Sequence, residues 1–381
     1  MNILVVAHYQ GDGSPSASFI HDQIRAYLAL GHQVRVLTPI AVGKTGWDGK
    51  RWGKLLRWED VDGATYCFLR HVSLSRYGNG WFNLASASFA LERCISQLLR
   101  DFQPDIIHAH TLGFDSELGV LLKEHLHVPL VVTTHGSDTS IPYEKGQIMW
   151  LKPFCDRVDR IVAVSQALAR KVEASGTSTP VSSILNGFCL SNVVPHDHST
   201  PHSIIQVGHL LKQKRVHQTI TAFVQIKARY PEATLTIVGE GPERNSLEEQ
   251  CRRLGVAESV HFLGQLSNRA VLEEMARHTV FVMPSVREGF GIVYLEAMAS
   301  GCVTIGTQGE GIADFIRDGE NGFLIPPESS GTIEEKIRWC FDHPEEAERI
   351  AQQGRQDALA QTWEKNALEY QGLFTNLLKG R

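Results

Sequence analysis

Short apolar runs rich in β-branched residues alternate along the whole chain with stretches whose apolar residues recur at helical spacing. This alternation predicts an α/β fold in which helices cover both faces of parallel sheets. The predicted strands of the first half cover residues 3–6, 33–37, 65–69, 105–108, 130–133, 160–164 and 181–185. Those of the second half cover residues 204–207, 234–238, 260–263, 280–283, 303–305 and 322–325. Each half therefore predicts its own doubly wound sheet.

The rhythm of strands and helices restarts after a polar stretch, residues 193–202, that contains two prolines and three histidines. We interpret this stretch as a linker and not as a metal site. With 381 residues, the chain exceeds what one hydrophobic core usually organises. We therefore predict two Rossmann-like domains, residues 1–190 and 191–362, that face a central cleft. The last helical pattern, within residues 363–381, needs a surface to cover.

Composition narrows the class of protein. The net charge is −5 and neither half has a strong basic excess, which argues against a nucleic-acid partner. No apolar run approaches the roughly 20 residues of a membrane-spanning helix, and the first residues lack the features of a secretory signal. The seven cysteines are scattered and odd in number, as expected of reduced thiols. We therefore expect a soluble, cytoplasmic protein.

The loop after the first predicted strand contains Gly11 and Gly13, and its G-x-G pattern could indicate a dinucleotide site. However, Ser16 occupies the third glycine position, and the second strand lacks the acidic residue that would bind a ribose. The sequence therefore disfavours a nicotinamide dehydrogenase. Because neither glycine carries a Cβ, the loop backbone can still approach a ligand closely. We keep both glycines as candidate donor-binding residues, with a plain turn as the alternative.

The segment 284–299 carries the sharpest chemical signal. It follows a predicted strand, and a helix begins near Gly291 whose first N–H groups can bind a phosphate. Carboxylates repel a phosphate, so Glu288 and Glu296, on either side of this helix start, are suited to neutral hydroxyls. A sugar nucleotide supplies such hydroxyls on its sugar and on its ribose. The alternative is a pair of ordinary acids that complement a helix dipole.

The sequence E-G-F-G at residues 288–291, followed by L-E-A-M-A at residues 295–299, resembles the signature of the retaining GT-B glycosyltransferases of family four. Six further segments resemble that family's other landmarks in order: residues 104–110, 134–138, 184–187, 207–208, 238–242 and 321–327. The resemblance covers essentially the whole chain. It implies a GT-B fold whose N-terminal domain holds mainly the acceptor and whose C-terminal domain holds mainly the nucleotide sugar. It also implies that the last helix crosses back to the N-terminal domain.

The resemblance assigns roles to individual residues. It places Glu288 at the transferred sugar, where it orients the donor, Glu296 at the ribose and Lys214 at a phosphate. His135, within T-H-G-S-D, is implied to contact the donor sugar or phosphate, although a lone histidine at a strand end is often structural. His135 and Glu288 are the candidate catalytic residues. The remaining candidate donor-binding residues are Gly208, Gly289, Phe290, Gly291, Ile292 and Val293.

The chain departs from the family's pattern around its phosphate site. His209 stands where most members have an arginine, and Arg215 stands where a glycine normally follows the lysine. Either Arg215 replaces the missing charge, or His209 binds phosphate when it is protonated. Both residues are candidate donor ligands. The acid of a later glycine-rich loop appears as Asp314, which shortens that contact.

The implied activity is that of a retaining hexosyltransferase. It moves a hexosyl group from a nucleoside-diphosphate sugar, with a UDP-sugar favoured over a GDP-sugar, to a hydroxyl of a glycan or lipid-linked acceptor in cell-surface polysaccharide biosynthesis. No cofactor or metal is implied, and D-V-D at residues 60–62 precedes a strand instead of following one, unlike a metal-binding D-x-D. The alternatives are a sugar-nucleotide 2-epimerase of the same architecture and a non-catalytic sugar-binding protein.

The segment 44–58, which begins at Lys44 and ends at Trp58, contains five basic residues, one acid and three tryptophans. This composition suits peripheral contact with an anionic membrane. The protein would then lie at the inner face of the membrane, close to a lipid-linked acceptor. The alternative is an exposed loop over the acceptor site.

Overall fold

The computed structural model describes residues 1–8, 18–43, 55–73, 81–194 and 200–380, which divide into two compact units. Unit 1 contains Met1–Gly187 together with Trp363–Arg381, and unit 2 contains Phe188–Thr362. The boundary lies slightly before residue 190 because the Phe188 N–H donates to the Gln361 carbonyl at 2.7 Å, within unit 2. The end of the predicted linker is already a strand of unit 2.

Within the described residues, unit 1 is built on an eight-stranded sheet. Its strands are β1 Asn2–Val6, β2 Gln33–Gly43, β3 Leu56–Val61, β4 Ala64–Ser73, β5 Ile106–His110, β6 Leu130–Thr134, β7 Arg160–Ala163 and β8 Val181–Ser183. The helices between them are α1 Ser18–Ala29, α2 Trp81–Leu98, α3 Phe114–Leu126, α4 Ser137–Glu144, α5 Lys152–Cys155 and α6 Gln166–Glu173. The order across the sheet is β3-β4-β2-β1-β5-β6-β7-β8, so it reverses between β1 and β5. Open α/β sheets bind ligands at such a reversal.

The antiparallel pair β3–β4 at the edge of this sheet differs from the predicted elements. The sequence predicts no strand at β3, because most of its residues are exposed and no apolar run marks it. The D-V-D stretch lies at its turn, where Thr65 donates to Asp60 and Arg25 pairs with Asp62. These contacts give the two carboxylates a structural role.

Within the part of unit 2 that is described, six parallel strands form one sheet. They are β9 Thr200–Val207, β10 Thr234–Val238, β11 Val260–Gly264, β12 His278–Val282, β13 Val303–Thr307 and β14 Phe323–Ile325. The helices are α7 Val216–Arg229, α8 Arg244–Arg253, α9 Asn268–Met275, α10 Ile292–Ala299, α11 Ser330–Asp342 and α12 Pro344–Ala360. The order β11-β10-β9-β12-β13-β14 reverses between β9 and β12. This is the strand order of a Rossmann fold.

The two sheets each have an apolar core because helices cover both of their faces. Ile3, Leu4 and Val5 of β1 have no exposed surface, and the same is true of Ile204 and Ile205 of β9. Strands buried on both faces carry continuous apolar runs instead of alternating ones. Both strands therefore stand out in the sequence, and both border the reversal of their sheet.

The last helix, α13 Trp363–Lys379, packs in unit 1, as the resemblance implies. Tyr370 and Phe374 are buried against Tyr27 of α1, with ring centroids 6.2 and 6.1 Å apart. The Tyr370 hydroxyl is hydrogen-bonded to Thr133 Oγ1 of β6 at 2.7 Å. The crossing of the C-terminal helix to the N-terminal unit is therefore confirmed.

We expect Tyr370→Phe to lower the free energy of unfolding by about 1 kcal/mol, because the ring still packs while a buried hydrogen bond to Thr133 is lost. The measurement is the midpoint of urea unfolding. Leu368→Ala is the matched control, because Leu368 lies on the same helix and is 53% exposed. Equal shifts in the two variants would contradict this account of the helix.

Candidate functional site

The loop between β12 and α10 lies at the reversal of the unit 2 sheet. From the end of β12 the chain passes through Met283 and the buried Ser285 before α10 begins at Ile292. Gly291 is the N-cap of this helix with φ +81°, and no described side chain caps it. The Tyr294 hydroxyl donates to the Met283 carbonyl at 2.7 Å and fixes the helix to the strand end. This uncapped N-terminus suits an anion.

Glu288 lies in that loop and is paired with Lys214. Its Oε2 atom is 2.5 Å from Lys214 Nζ and accepts a hydrogen bond from Ser285 Oγ at 3.1 Å. The Glu288 N–H donates to Glu310 Oε2 at 2.9 Å. Both side chains of the ion pair are 18% exposed, so water screens their attraction only in part. The structure thus brings together two of the predicted site residues from different loops.

Lys214 owes its position to a short 3₁₀ turn, Lys212–Lys214, which follows β9. Gln206 Nε2 of β9 donates to the Lys214 carbonyl at 2.9 Å. The Val286 N–H donates to the Gln213 carbonyl at 2.9 Å, and so joins the turn to the loop of Glu288. These two hydrogen bonds therefore hold the lysine beside the glutamate.

The strand ends below this site approach each other very closely at two glycines. Gly239, which follows β10, has φ +131°, and a Cβ atom there would lie 2.1 Å from the carbonyl oxygen of Gly208, which follows β9. The Gly208 N–H donates to the Val238 carbonyl at 3.0 Å. Glycine is required at position 239 because backbone occupies the space of a side chain.

Glu296 lies on α10 and is half-buried. Its Oε1 atom accepts a hydrogen bond from Asn268 Nδ2, at the start of α9, at 3.1 Å. Asn268 belongs to no motif in the sequence and lies 28 residues from its partner, so local pattern does not mark it. The amide orients the carboxylate that is predicted to bind the ribose.

Arg215 and His209, which depart from the family's pattern at the phosphate site, have different surroundings. Arg215 Nη2 is 2.5 Å from Glu328 Oε1, and its buried Nε atom has no hydrogen-bond partner among the described residues. His209 is exposed, with Nδ1 3.3 Å from the Glu240 carbonyl oxygen. Arg215 already neutralises a carboxylate, whereas His209 contacts a neutral carbonyl group. The phosphate-binding roles of both stay predictions.

His135 follows β6 in unit 1 and is held by a second histidine. Its Nε2 atom is 2.9 Å from His110 Nδ1, and the two rings stack with centroids 5.2 Å apart. Burial lowers the pKa of His135 to about 4 and that of His110 well below its usual value. Both rings are therefore neutral near pH 7, so one nitrogen of the pair donates and the other accepts. A neutral His135 suits a sugar hydroxyl better than a phosphate.

His108 and Asp138 support this pair. His108 Nε2 is 2.8 Å from Thr133 Oγ1, and burial lowers the pKa of His108 to about 3. The Asp138 carboxylate accepts hydrogen bonds from the N–H groups of Leu112 and Gly136 at 2.9 and 3.0 Å, and thereby fixes the loop that carries His135. Burial nevertheless raises the pKa of Asp138.

Some predicted features lie outside the described residues. Gly11 and Gly13 are among them, as is most of the segment 44–58. In the described ranges, no group of three or more His, Cys, Asp or Glu side chains could hold a metal ion. In the part of the chain that the structure describes, every helix is either too short or too polar to span a lipid bilayer.

Two family models match consecutive parts of the chain. The model described as Glycosyltransferase Family 4 matches residues 16–192, and that described as Glycosyl transferases group 1 matches residues 194–357. The first match falls mainly in unit 1 and the second lies in unit 2. The two matches together account for most of both units.

Curated relatives are about a quarter identical to the chain over the aligned residues. Glycogen synthase of Mycobacterium tuberculosis is 26% identical over 276 residues, which are 68% of this chain and 65% of that enzyme. N-acetyl-alpha-D-glucosaminyl L-malate synthase of Bacillus anthracis is 26% identical over 330 residues, 82% of this chain and 84% of that enzyme. The chain thus spans slightly less than two thirds of the length of the mycobacterial relative.

Solved structures show the same fold at lower identity. Sucrose-phosphate synthase from Thermosynechococcus elongatus superposes with a TM-score of 0.80 and 18% identity, over 100% of both chains. Anabaena HepE in complex with UDP and glucose superposes with a TM-score of 0.75 and 19% identity, over 99% of this chain and 100% of that one. With two Rossmann-like units, a crossing helix and two consecutive family matches, the chain belongs to the GT-B glycosyltransferases of family four.

Proposed function

We propose that the chain transfers a hexosyl group, with retention of configuration, from a nucleoside-diphosphate sugar to a hydroxyl of a glycan or lipid-linked acceptor. The observation that carries this proposal is the Lys214–Glu288 pair beside the uncapped N-terminus of α10. Departure of a nucleoside diphosphate develops negative charge. A fixed ammonium group and helix N–H groups stabilise that charge without a metal ion.

The Lys214–Glu288 ion pair suits a donor that carries both an anionic group and hydroxyl groups. Separating a partly buried ammonium from its carboxylate is costly unless each finds a new partner. A sugar nucleotide supplies both partners, because its diphosphate can bind Lys214 while hydroxyls of its sugar donate to Glu288. Glu288 then orients the donor and does not act as an acid or base.

Two further observations support the placement of the donor's hydroxyl groups. Glu296 is oriented by Asn268, as expected of a carboxylate that accepts hydrogen bonds from a ribose. His135 is kept neutral by burial and can exchange a hydrogen bond with a hydroxyl of the transferred sugar. In this proposal the phosphates contact Lys214, and His135 contacts the sugar.

We propose a UDP-sugar as the donor, with a GDP-sugar as the alternative, because the similar HepE fold is described in complex with UDP and glucose and with UDP-glucose. No metal takes part in this proposal. We further propose a role in cell-surface polysaccharide biosynthesis at the inner face of the membrane. The basic, tryptophan-rich composition of residues 44–58 supports that location.

The proposal is tested by incubating the full chain with a panel of sugar nucleotides and identifying the products by mass spectrometry. We expect release of the nucleoside diphosphate with transfer or slow hydrolysis of the sugar, unchanged by a chelator. An isomerised sugar nucleotide would instead indicate an epimerase, and an unchanged panel would indicate a binding protein. Thermal shifts with UDP, GDP and ADP identify the base, because a ligand that binds the folded state raises its melting temperature.

We expect Glu296→Gln to weaken the binding of UDP roughly tenfold or more, because a hydrogen bond to a charged group contributes about 1.5–3 kcal/mol. Isothermal titration calorimetry with UDP measures this loss. Glu273→Gln is the matched control, since Glu273 lies on the neighbouring helix α9 and its carboxylate pairs with Arg269 at 48% exposure. Equal affinities for the two variants would refute the assignment of Glu296 to the ribose.

A further inference from the structure

The sheet of unit 1 carries a His–Asp pair at its own reversal, between β1 and β5. His8 follows β1, and Asp115 lies in the first turn of α3, the helix that follows β5. His8 Nδ1 is 2.5 Å from Asp115 Oδ1, although the residues are 107 positions apart. No motif in the sequence marks this pair, and the proposed donor site does not use it.

The exposures of the two side chains are unequal. Asp115 is 1% exposed and His8 is 49% exposed, so the acid is buried beneath a base that solvent reaches. The pair of His21 with Asp62 in the same unit has the opposite arrangement, with the histidine 15% and the acid 46% exposed. A buried carboxylate below an accessible imidazole is the arrangement that orients a base in enzyme sites.

The buried carboxylate determines which nitrogen of His8 carries the proton. Asp115 accepts a hydrogen bond from Thr111 Oγ1 at 3.0 Å through its other oxygen. Because an ionised carboxylate only accepts hydrogen bonds, His8 Nδ1 must be the donor of the 2.5 Å contact. Neutral His8 therefore presents the lone pair of Nε2 as a hydrogen-bond acceptor.

The Phe114 ring lies beside His8, and the His71 ring lies beside Phe114. The Phe114 ring centroid is 5.0 Å from that of His8 and 5.2 Å from that of His71, which is buried. Phe114 itself is partly exposed. A partly exposed ring beside a directed acceptor combines an apolar wall with one specific polar group, which is typical of small-molecule sites. A sugar ring with a free hydroxyl fits both features.

The charged state of His8 depends on the groups that face it, Asp115 from α3 and His71 from β4. Burial opposes protonation of His8, but the charge and the hydrogen bond of Asp115 outweigh it and raise the pKa above its usual value. Burial lowers the pKa of His71, which is therefore neutral near pH 7. His8 consequently becomes protonated at a higher pH than a histidine without such a partner.

We propose that His8, oriented by Asp115, accepts a hydrogen bond through Nε2 from the hydroxyl of the acceptor that attacks the donor sugar. This inference rests on the proposed function, and it assigns a neutral sugar hydroxyl as the group that unit 1 recognises. Asp115 is a positioning residue in this scheme, because it acts through His8. Protonated His8 has no lone pair at Nε2, so acidification prevents it from accepting a hydrogen bond from that hydroxyl.

The raised pKa of His8 determines the expected pH dependence of the rate. As the pH falls through the raised pKa of His8, Nε2 becomes protonated and the rate decreases. Asp115→Asn removes the charge that raises this pKa, so the acid limb of the pH profile moves to lower pH. It also weakens the preference for the Nδ1–H tautomer, so the plateau rate is lower as well.

The experiment compares the wild-type chain with His8→Gln, Asp115→Asn and the matched control His21→Gln. Turnover is followed as UDP release from UDP-glucose, with water or methyl α-D-glucopyranoside as acceptor. We expect His8→Gln to lower turnover by about 10²-fold while the thermal shift with UDP is unchanged, and His21→Gln to behave as wild type. Unchanged turnover and an unchanged pH profile in His8→Gln overturn the proposal.

Failure of the proposed function is distinguished by a measurement on the wild-type chain alone. If UDP-glucose is not consumed, the proposed function fails for this donor, and ¹⁵N NMR of labelled histidines decides the role of His8. A proton on Nδ1 in neutral His8, with an Nε2 signal that shifts on adding methyl α-D-glucopyranoside, supports the proposal. A proton on Nε2, or no shift with the glycoside, overturns it.

Discussion

Replacing Lys214 by methionine is expected to lower the turnover of the nucleotide-sugar donor by roughly 10²- to 10³-fold, the usual effect of removing one group that stabilises developing negative charge. The substitution keeps an unbranched side chain of similar length. It removes the ammonium group that lies 2.5 Å from Glu288 and leaves that partly buried carboxylate without its cation. The loss should appear mainly in kcat, because the charge on the leaving diphosphate grows in the transition state.

Lys212→Met is the matched control, since Lys212 begins the same 3₁₀ turn and is exposed. We expect its kcat and KM to remain within about twofold of wild type, as for most substitutions of exposed residues away from specific contacts. UDP release from the donor identified in the panel measures both variants. Equal losses would indicate that the turn needs positive charge in general and that Lys214 has no specific role.

Gly239→Ala is expected to lower the free energy of unfolding of unit 2 by about 4 kcal/mol or more, the range of the most damaging single substitutions. An added Cβ would lie 2.1 Å from the Gly208 carbonyl oxygen, and no flexible side chain can move aside. The backbone also has φ +131°, which alanine rarely adopts. Relief requires the ends of β9 and β10 to separate, which would displace the turn that carries Lys214.

Gly255→Ala separates the effect of the backbone angle from that of the contact. Gly255 also has a positive φ, +73°, but an added Cβ there would meet no atom within 4 Å. We expect a loss of about 1–2 kcal/mol, the cost of a left-handed conformation for a residue with a Cβ. Urea unfolding of both variants measures the difference. Similar losses would show that the close approach of the two strand ends contributes little.

The strands were largely predictable, because burial on both faces leaves a continuous apolar run such as that of β1. The edge strand β3 was missed for the corresponding reason, since its exposed residues carry no such run. The order of the strands within each sheet does not follow from the same pattern. It depends on which strands pair across long separations in the sequence, and short-range periodicity does not report that.

In the candidate site, too, local motifs mark single residues, whereas the contacts between them depend on long-range strand pairing. Lys214 and Glu288 were each found from local motifs, but their contact joins loops 74 residues apart and depends on β9 pairing with β12. The pair of His8 with Asp115 depends in the same way on β1 pairing with β5. The position of Arg215 in the sequence predicts a phosphate ligand, whereas its contact with Glu328, 113 residues away, depends on the fold.

The position of α13 has a consequence for the order in which the chain is synthesised. The surface of unit 1 around Tyr27 and His108 is completed by Tyr370 and Phe374, which leave the ribosome only after all of unit 2. Unit 2 can fold as soon as its last strand and helices emerge, whereas unit 1 must wait with an apolar surface uncovered. A chain truncated before residue 363 would therefore leave an apolar surface of unit 1 uncovered, although the rest of unit 1 comes from the other end of the sequence.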